Sequence, residues 1–298
     1  MSTSPAFDRL ASIVAAGEPL PPGTIRELAG SPDILQLGML ADSLRRRLHG
    51  TRVTFIRVAF CPFERSFADA VPPAAREIRI DGSPETLAIA VSAVASAKAV
   101  AGLRTVSGFA WADVERFAAG DGGGVTHALR ELRGAGLDAV ALLPLDGIDV
   151  EKAIDRLRTA EFDRLRLSIH KAPAADRTAL LLEASRLQER FGCIQSIDPL
   201  PASLDPFRPT TGYEDTKMVA IARLAAPGIP SVQVDWQRYG PKLAQVVLTF
   251  GADDLYGVSA SDDAPEGRRR APLEEIRRNI EAAGFEAIER DGAFAAVV

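Results

Sequence analysis

Along the chain the apolar positions change period once. Phe7, Leu10, Ile13 and Val14 recur at helical spacing, and Ile25, Leu28, Leu35, Leu37, Leu40 and Leu44 do so more loosely, with Pro19, Pro21 and Pro22 breaking the run between them. After the basic turn Arg45, Arg46, Arg47, the stretch Val53 to Phe60 (VTFIRVAF) is β-branched and aromatic, which favours a strand. From there short strand-like runs alternate with helix-like runs. Ile78 to Asp81 precedes Glu85 to Val100, Arg104 to Gly108 precedes Ala112 to Ala119, and Ala139 to Leu143 precedes Val150 to Ala160. Arg164 to His170 precedes Asp176 to Phe191, Ile194 to Pro199 precedes Asp215 to Leu224, and Ser231 to Val234 precedes Lys242 to Phe250. This repetition predicts an α/β fold, a (β/α) TIM-type barrel, complete or opened along one side. Residues 1–50 are expected to form a helical extension packed on a barrel built from 51–298. Asp262 to Arg270 reads as a charged loop, and Pro272 to Ala283 as an amphipathic helix stopped by Gly284, with a short apolar strand after it.

Charge and composition narrow the function classes. The 35 basic and 40 acidic residues give a formal net charge of −5, which argues against nucleic acid or an anionic membrane as partner. No stretch reaches the roughly 18–20 apolar residues of a membrane span. The opening residues MSTSPAFDRL lack the order of a signal peptide, so a cytoplasmic location is expected. The two cysteines, Cys61 and Cys193, belong to no CxxC or Cys/His cluster, so they read as small buried hydrophobes rather than a disulfide or zinc site.

Barrel chemistry sits at the carboxyl ends of strands, which makes Asp81, His170, Asp198 and Asp235 the catalytic candidates. They either converge at the mouth or cap the helices that follow. His170 stands beside Lys171, whose charge would lower its proton affinity toward that of a general base. Trp236 and Tyr239 would cover the mouth or a subunit interface. Lys242, Gln245, Asp253 and Asp254 either bind a ligand or order the last helix and its following turn. The run Gly122, Gly123, Gly124 before a helix is a flexible loop or a phosphate cradle.

Three segments carry a resemblance. Leu37 to Val53 (LGMLADSLRRRLHGTRV), Thr211 to Leu224 (TGYEDTKMVAIARL) and Gln233 to Gly257 (QVDWQRYGPKLAQVVLTFGADDLYG) together resemble the radical S-adenosylmethionine enzymes of the branch containing aminofutalosine synthase, dehypoxanthine futalosine cyclase and the related enzyme of deazaflavin biosynthesis. The third segment is most similar to aminofutalosine synthase. The resemblance implies a [4Fe–4S] cluster held by a Cys-x3-Cys-x2-Cys loop after the first strand, with S-adenosylmethionine on the open iron. At that place the chain reads VTFIRVAFCPFERSF, with Cys61 alone. The family's glycine and histidine runs at later strand ends are replaced by IDGSP, TVSGF, LLPLDG and IHKAP. Side chains there would fill the space that backbone needs to approach a cofactor.

The expectation is therefore a cluster-less, non-catalytic homologue of aminofutalosine synthase. It would bind no iron–sulfur cluster and no S-adenosylmethionine, and would serve menaquinone biosynthesis by the futalosine route. Its partner would be a pathway enzyme or a second copy of itself, and its ligand a pathway intermediate. The alternatives are a barrel enzyme with metal-independent chemistry at the strand ends, and a radical enzyme with an atypical cluster site.

Overall fold

The computed structural model describes residues 5–203, 207, 209–261 and 273–297. Its strands are β1 (Arg52–Pro62), β2 (Glu77–Asp81), β3 (Thr105–Ala110), β4 (Ala139–Pro144), β5 (Leu165–Ile169), β6 (Ile194–Pro201), β7 (Ser231–Asp235), β8 (Asp254–Ser259) and β9 (Glu286–Glu289). The first eight pair in chain order, and β1 bonds to both β8 and β2. The result is a closed parallel eight-stranded barrel with helices outside, and no side is open.

The strand β8 departs from the sequence expectation, which assigned Asp253 and Asp254 to a turn. Asp253 immediately precedes the strand and Asp254 opens it, and carboxylates are disfavoured in strands. Here each carboxylate meets a buried arginine from a distant segment, Arg223 for Asp253 and Arg290 for Asp254. Local propensity yields to that pairing. The loop expected at Asp262 to Arg270 lies outside the described residues.

Alternation sorts the side chains of β1. Val53, Phe55, Ala59 and Cys61 belong to the main core between sheet and helices, whereas Ile56, Val58 and Phe60 join Tyr256 in a separate cluster inside the barrel. The strand is long because one edge serves two partners: Arg52 to Phe55 pair with β9, and Val58 to Pro62 with β2.

Beyond β9 the tail crosses the amino-terminal end of the barrel and forms its floor. Arg290 holds the Asp254 carboxylate with Nε at 2.5 Å and Nη2 at 2.7 Å, and Thr54 Oγ1 donates to the same group at 2.6 Å. Arg166 donates to both Glu77 oxygens, at 2.8 and 2.9 Å, and to the Gly292 carbonyl at 3.0 Å. Ser107 and Tyr256 hydroxyls also donate to Glu77. Burial alone would raise the Glu77 carboxyl, but Arg166 and Ser107 overcome it and hold it at about 2. Ion pairs this deep persist because every charge is also hydrogen-bonded.

The helices Pro5–Ala16, Pro22–Gly30 and Ile34–His49 precede the barrel. The third starts on an Asp33 cap that accepts from Gln36 N–H at 3.0 Å. It packs on the helix Gly212–Ala225, whose Thr211/Glu214 capping box fixes its start. Among the described residues no helix is long and apolar enough to cross a membrane.

Candidate active site at the barrel mouth

The neighbouring strands β6 and β7 bring Asp198 and Asp235 to the mouth, and Arg238 reaches both. Its Nη1 lies 3.4 Å from Asp198 Oδ2 and its Nη2 3.5 Å from Asp235 Oδ2. Asp235 Oδ1 caps the helix Trp236–Leu248 by accepting from Arg238 N–H at 3.0 Å. Asp198 Oδ1 accepts from Leu200 N–H at 3.0 Å, within β6, where the pairing with β5 shifts register. Tyr239 donates its hydroxyl to the Pro201 carbonyl at 2.9 Å. A second pair lies close by: Arg177 Nη1 and Asp215 Oδ1 are buried 3.6 Å apart, and neither atom has a hydrogen-bond partner among the described residues.

Electrostatics single out Asp198. Burial pushes Asp198 up to about 7, with Asp235 adding repulsion, against the opposing pull of Arg238 and the Leu200 N–H. A carboxyl at that value exchanges its proton near neutrality, which is what acid–base chemistry requires. Burial likewise raises Asp215 and raises the Tyr239 phenol, the latter reinforced by Asp198 and Asp215. Tyr239 is therefore a neutral hydrogen-bonding group in this site.

Of the sequence candidates, Asp198, Asp235 and Tyr239 come together. Asp81 ends β2, across the barrel from β6, where it accepts from Gly82 N–H at 3.2 Å. The His170 side chain is exposed; the feature that organises its loop is Asp146, whose carboxylate accepts from the backbone N–H of His170, Lys171 and Ala172 at 2.6, 2.8 and 2.9 Å. Trp236 does not cover the mouth, because its indole is fully buried in the core. Lys242 is exposed and Gln245 half-buried on the helix after β7, and Asp253 and Asp254 lie at the opposite end of β8, in the floor. The glycine run sits between the helices Trp111–Asp121 and Val125–Gly134, with Gly122 and Gly124 at positive φ.

Sequence reasoning missed Arg177, Asp215 and Arg238. Each pairs across different βα units, so no local spacing announces it.

No family model matches the chain. It is 27% identical to a protein of Archaeoglobus fulgidus named 5-amino-6-(D-ribitylamino)uracil–L-tyrosine 4-hydroxyphenyl transferase, over 85% of this chain and 91% of that one. A protein of Methanopyrus kandleri with the same name is 27% identical over 96% and 95%. Among solved structures, HydG, a maturase of the [FeFe]-hydrogenase, superposes with a TM-score of 0.72 at 13% identity, over 98% of this chain and 77% of that one. Methylornithine synthase (PylB) gives 0.67 at 14% identity, over 93% and 97%. The fold is radical-S-adenosylmethionine-like.

These relatives overturn two expectations. They carry the name of a transferase for a tyrosine-dependent reaction, which corrects both the futalosine assignment and the non-catalytic one. The segment that suggested aminofutalosine synthase forms β7, its helix and the start of β8, so it reports the shared scaffold rather than a branch. The expectation of no cofactor is corrected as well, since homologues and structural neighbours belong to a class that uses a [4Fe–4S] cluster and S-adenosylmethionine.

The chain's own donor set does not fit such a cluster. Cys61 turns outward from the barrel, its Sγ 3.9 Å from the Ala70 carbonyl, and burial pushes its thiol up to about 11. The motif positions four and seven residues on are Arg65 and Ala68. Cys193 precedes β6 at the floor end. Among the described residues no group of three His, Cys, Asp or Glu side chains is arranged to hold a metal.

Proposed function

We propose that the chain is an enzyme of the lineage represented by the 4-hydroxyphenyl transferases, and that its mouth binds a polar aromatic or heterocyclic substrate of the kind in that name, L-tyrosine or 5-amino-6-(D-ribitylamino)uracil. The observation that carries this reading is Asp198. A nearly buried carboxyl at a strand's carboxyl end, poised at about 7 beside Arg238, is costly for stability and suited to proton transfer.

In this reading Asp198 gives or takes a proton at the substrate, Arg238 offsets the charge that forms on it, and Asp235 holds Arg238 and the helix start in place. The Arg177–Asp215 pair, with unused bonding capacity on both partners, supports the wall behind Tyr239. No step passes through a cluster, because the chain's own residues do not supply its ligands.

The test is calorimetric titration of each compound into the wild type and into Asp198→Asn and Arg238→Ala. Binding of at least one compound, weakened about tenfold or more in both variants (about 1.4 kcal/mol), supports the assignment. Absence of binding by both compounds, or binding indifferent to both substitutions, defeats it.

A further inference from the structure

At the amino-terminal end of the barrel, opposite the mouth, a cavity of 260 Å³ is lined by His49, Arg52, Ser231, Asp253 and Arg290. A water takes up about 30 Å³ of liquid, so the space admits a small organic molecule. Its wall holds polar atoms without partners. Asp253 Oδ1 is engaged by Val232 N–H at 2.7 Å and by Arg223. Asp253 Oδ2 instead faces His49 Nε2 at 3.7 Å.

Asp253 Oδ2 and His49 Nε2 thus stand opposite each other beyond hydrogen-bond distance. His49 Nε2 is buried without a hydrogen-bond partner among the described residues, and so is Ser231 Oγ, on a side chain only 4% exposed. Burial lowers the proton affinity of His49, which favours the neutral ring. Leaving such groups unpaired is expensive. At the rim, the exposed Arg52 contributes positive charge.

We propose that this cavity binds a small α-amino acid, whose ammonium donates to Asp253 Oδ2, His49 Nε2 and Ser231 Oγ while its carboxylate meets Arg52. An ammonium carries three donors and no acceptor, and Asp253 Oδ2, Ser231 Oγ and, in the tautomer protonated on Nδ1, His49 Nε2 offer it three acceptors. A carboxylate is the natural partner of a guanidinium. The site shares no residue with the mouth and stands independently of the function proposed there.

Titration of ¹⁵N-histidine-labelled protein with L-alanine, and separately with ethylamine and propionate as its two halves, tests the site. The chain has only three histidines, and loss of a resonance in His49→Phe assigns His49. L-alanine should shift the His49 Nε2 resonance saturably, with each half binding at least about tenfold more weakly. Arg52→Ala, at an exposed position, should weaken L-alanine about tenfold with the fold kept intact by circular dichroism, and Asp198→Asn should leave L-alanine binding unchanged. No shift at roughly 10 mM L-alanine, where even a millimolar site would be filled, overturns the proposal. Propionate or ethylamine binding as tightly as L-alanine also overturns it, since a simple ion pocket would suffice.

Discussion

The Glu77 and Asp254 network of the barrel floor and the cluster at its mouth handle buried charge in opposite ways. In the floor, Glu77 with Arg166 and Asp254 with Arg290 are bidentate pairs whose remaining bonding capacity is taken up by Ser107, Tyr256 and Thr54. At the mouth, Arg238 divides itself between two carboxylates at 3.4 and 3.5 Å, and Arg177 and Asp215 face each other without a hydrogen bond between the nearest atoms. Saturated charge is inert and fixes a structure, whereas charge left incompletely paired retains energy that a bound group can recover. The contrast separates the Glu77 and Asp254 pairs, which hold the barrel closed, from the mouth cluster, which is equipped for chemistry.

The largest effect should come from breaking the saturated end. Glu77→Ala strands the Arg166 guanidinium in the floor and should cost about 3–5 kcal/mol in urea unfolding. A double replacement of Glu77 and Arg166 by Met should recover most of that loss. If the single substitution costs no more than an exposed one, the floor network is not what closes the barrel.

The mouth should respond to pH with the opposite sign from an ordinary ion pair. In the unfolded chain an aspartate loses its proton near about 3.9, whereas Asp198 in the folded protein does so at about 7. The folded state thus binds the proton more tightly. Asp198 penalises stability fully above pH 7, less as pH falls, and no longer below the unfolded value. The wild type should therefore gain on Asp198→Asn, on the order of 1–3 kcal/mol between pH 8 and pH 5, in parallel unfolding series. A difference that stays flat over that range would place Asp198 in an ordinary solvated environment.

The same contrast explains what was legible in the sequence. Seven strands announced themselves because β-branched and apolar runs mark buried parallel strands. Asp198 and Asp235 were reachable by asking which polar residues end them. The eighth strand (DLYGVS) was not legible, because its opening carboxylate is held by partners distant in the chain, among them Arg290, 36 residues on, and Thr54. Arg238 sits three residues beyond Asp235, but its second partner, Asp198, is 40 residues away on another strand. Spacing carries such information poorly when the partners belong to different βα units. Conversely, Trp236 was visible for its size, yet its indole is committed to the core.

The smallest effects fall on the loop after β5 and decide between two readings of it. His170 drew attention as a rare ionisable residue at a strand end, but its side chain is exposed. Asp146 gathers three consecutive backbone N–H groups of that loop onto one carboxylate. Asp146→Ala should cost about 1–3 kcal/mol, since hydrogen bonds to a charged acceptor are the stronger kind and the N–H groups lose it together. It should also speed amide hydrogen exchange at His170, Lys171 and Ala172 above exchange elsewhere in the barrel. His170→Ala should change stability by less than about 0.5 kcal/mol and leave ligand binding at the mouth unaltered. If His170→Ala instead abolishes binding while Asp146→Ala does not, the chemistry extends to β5, and the mouth is wider than the Asp198, Asp235 and Arg238 cluster.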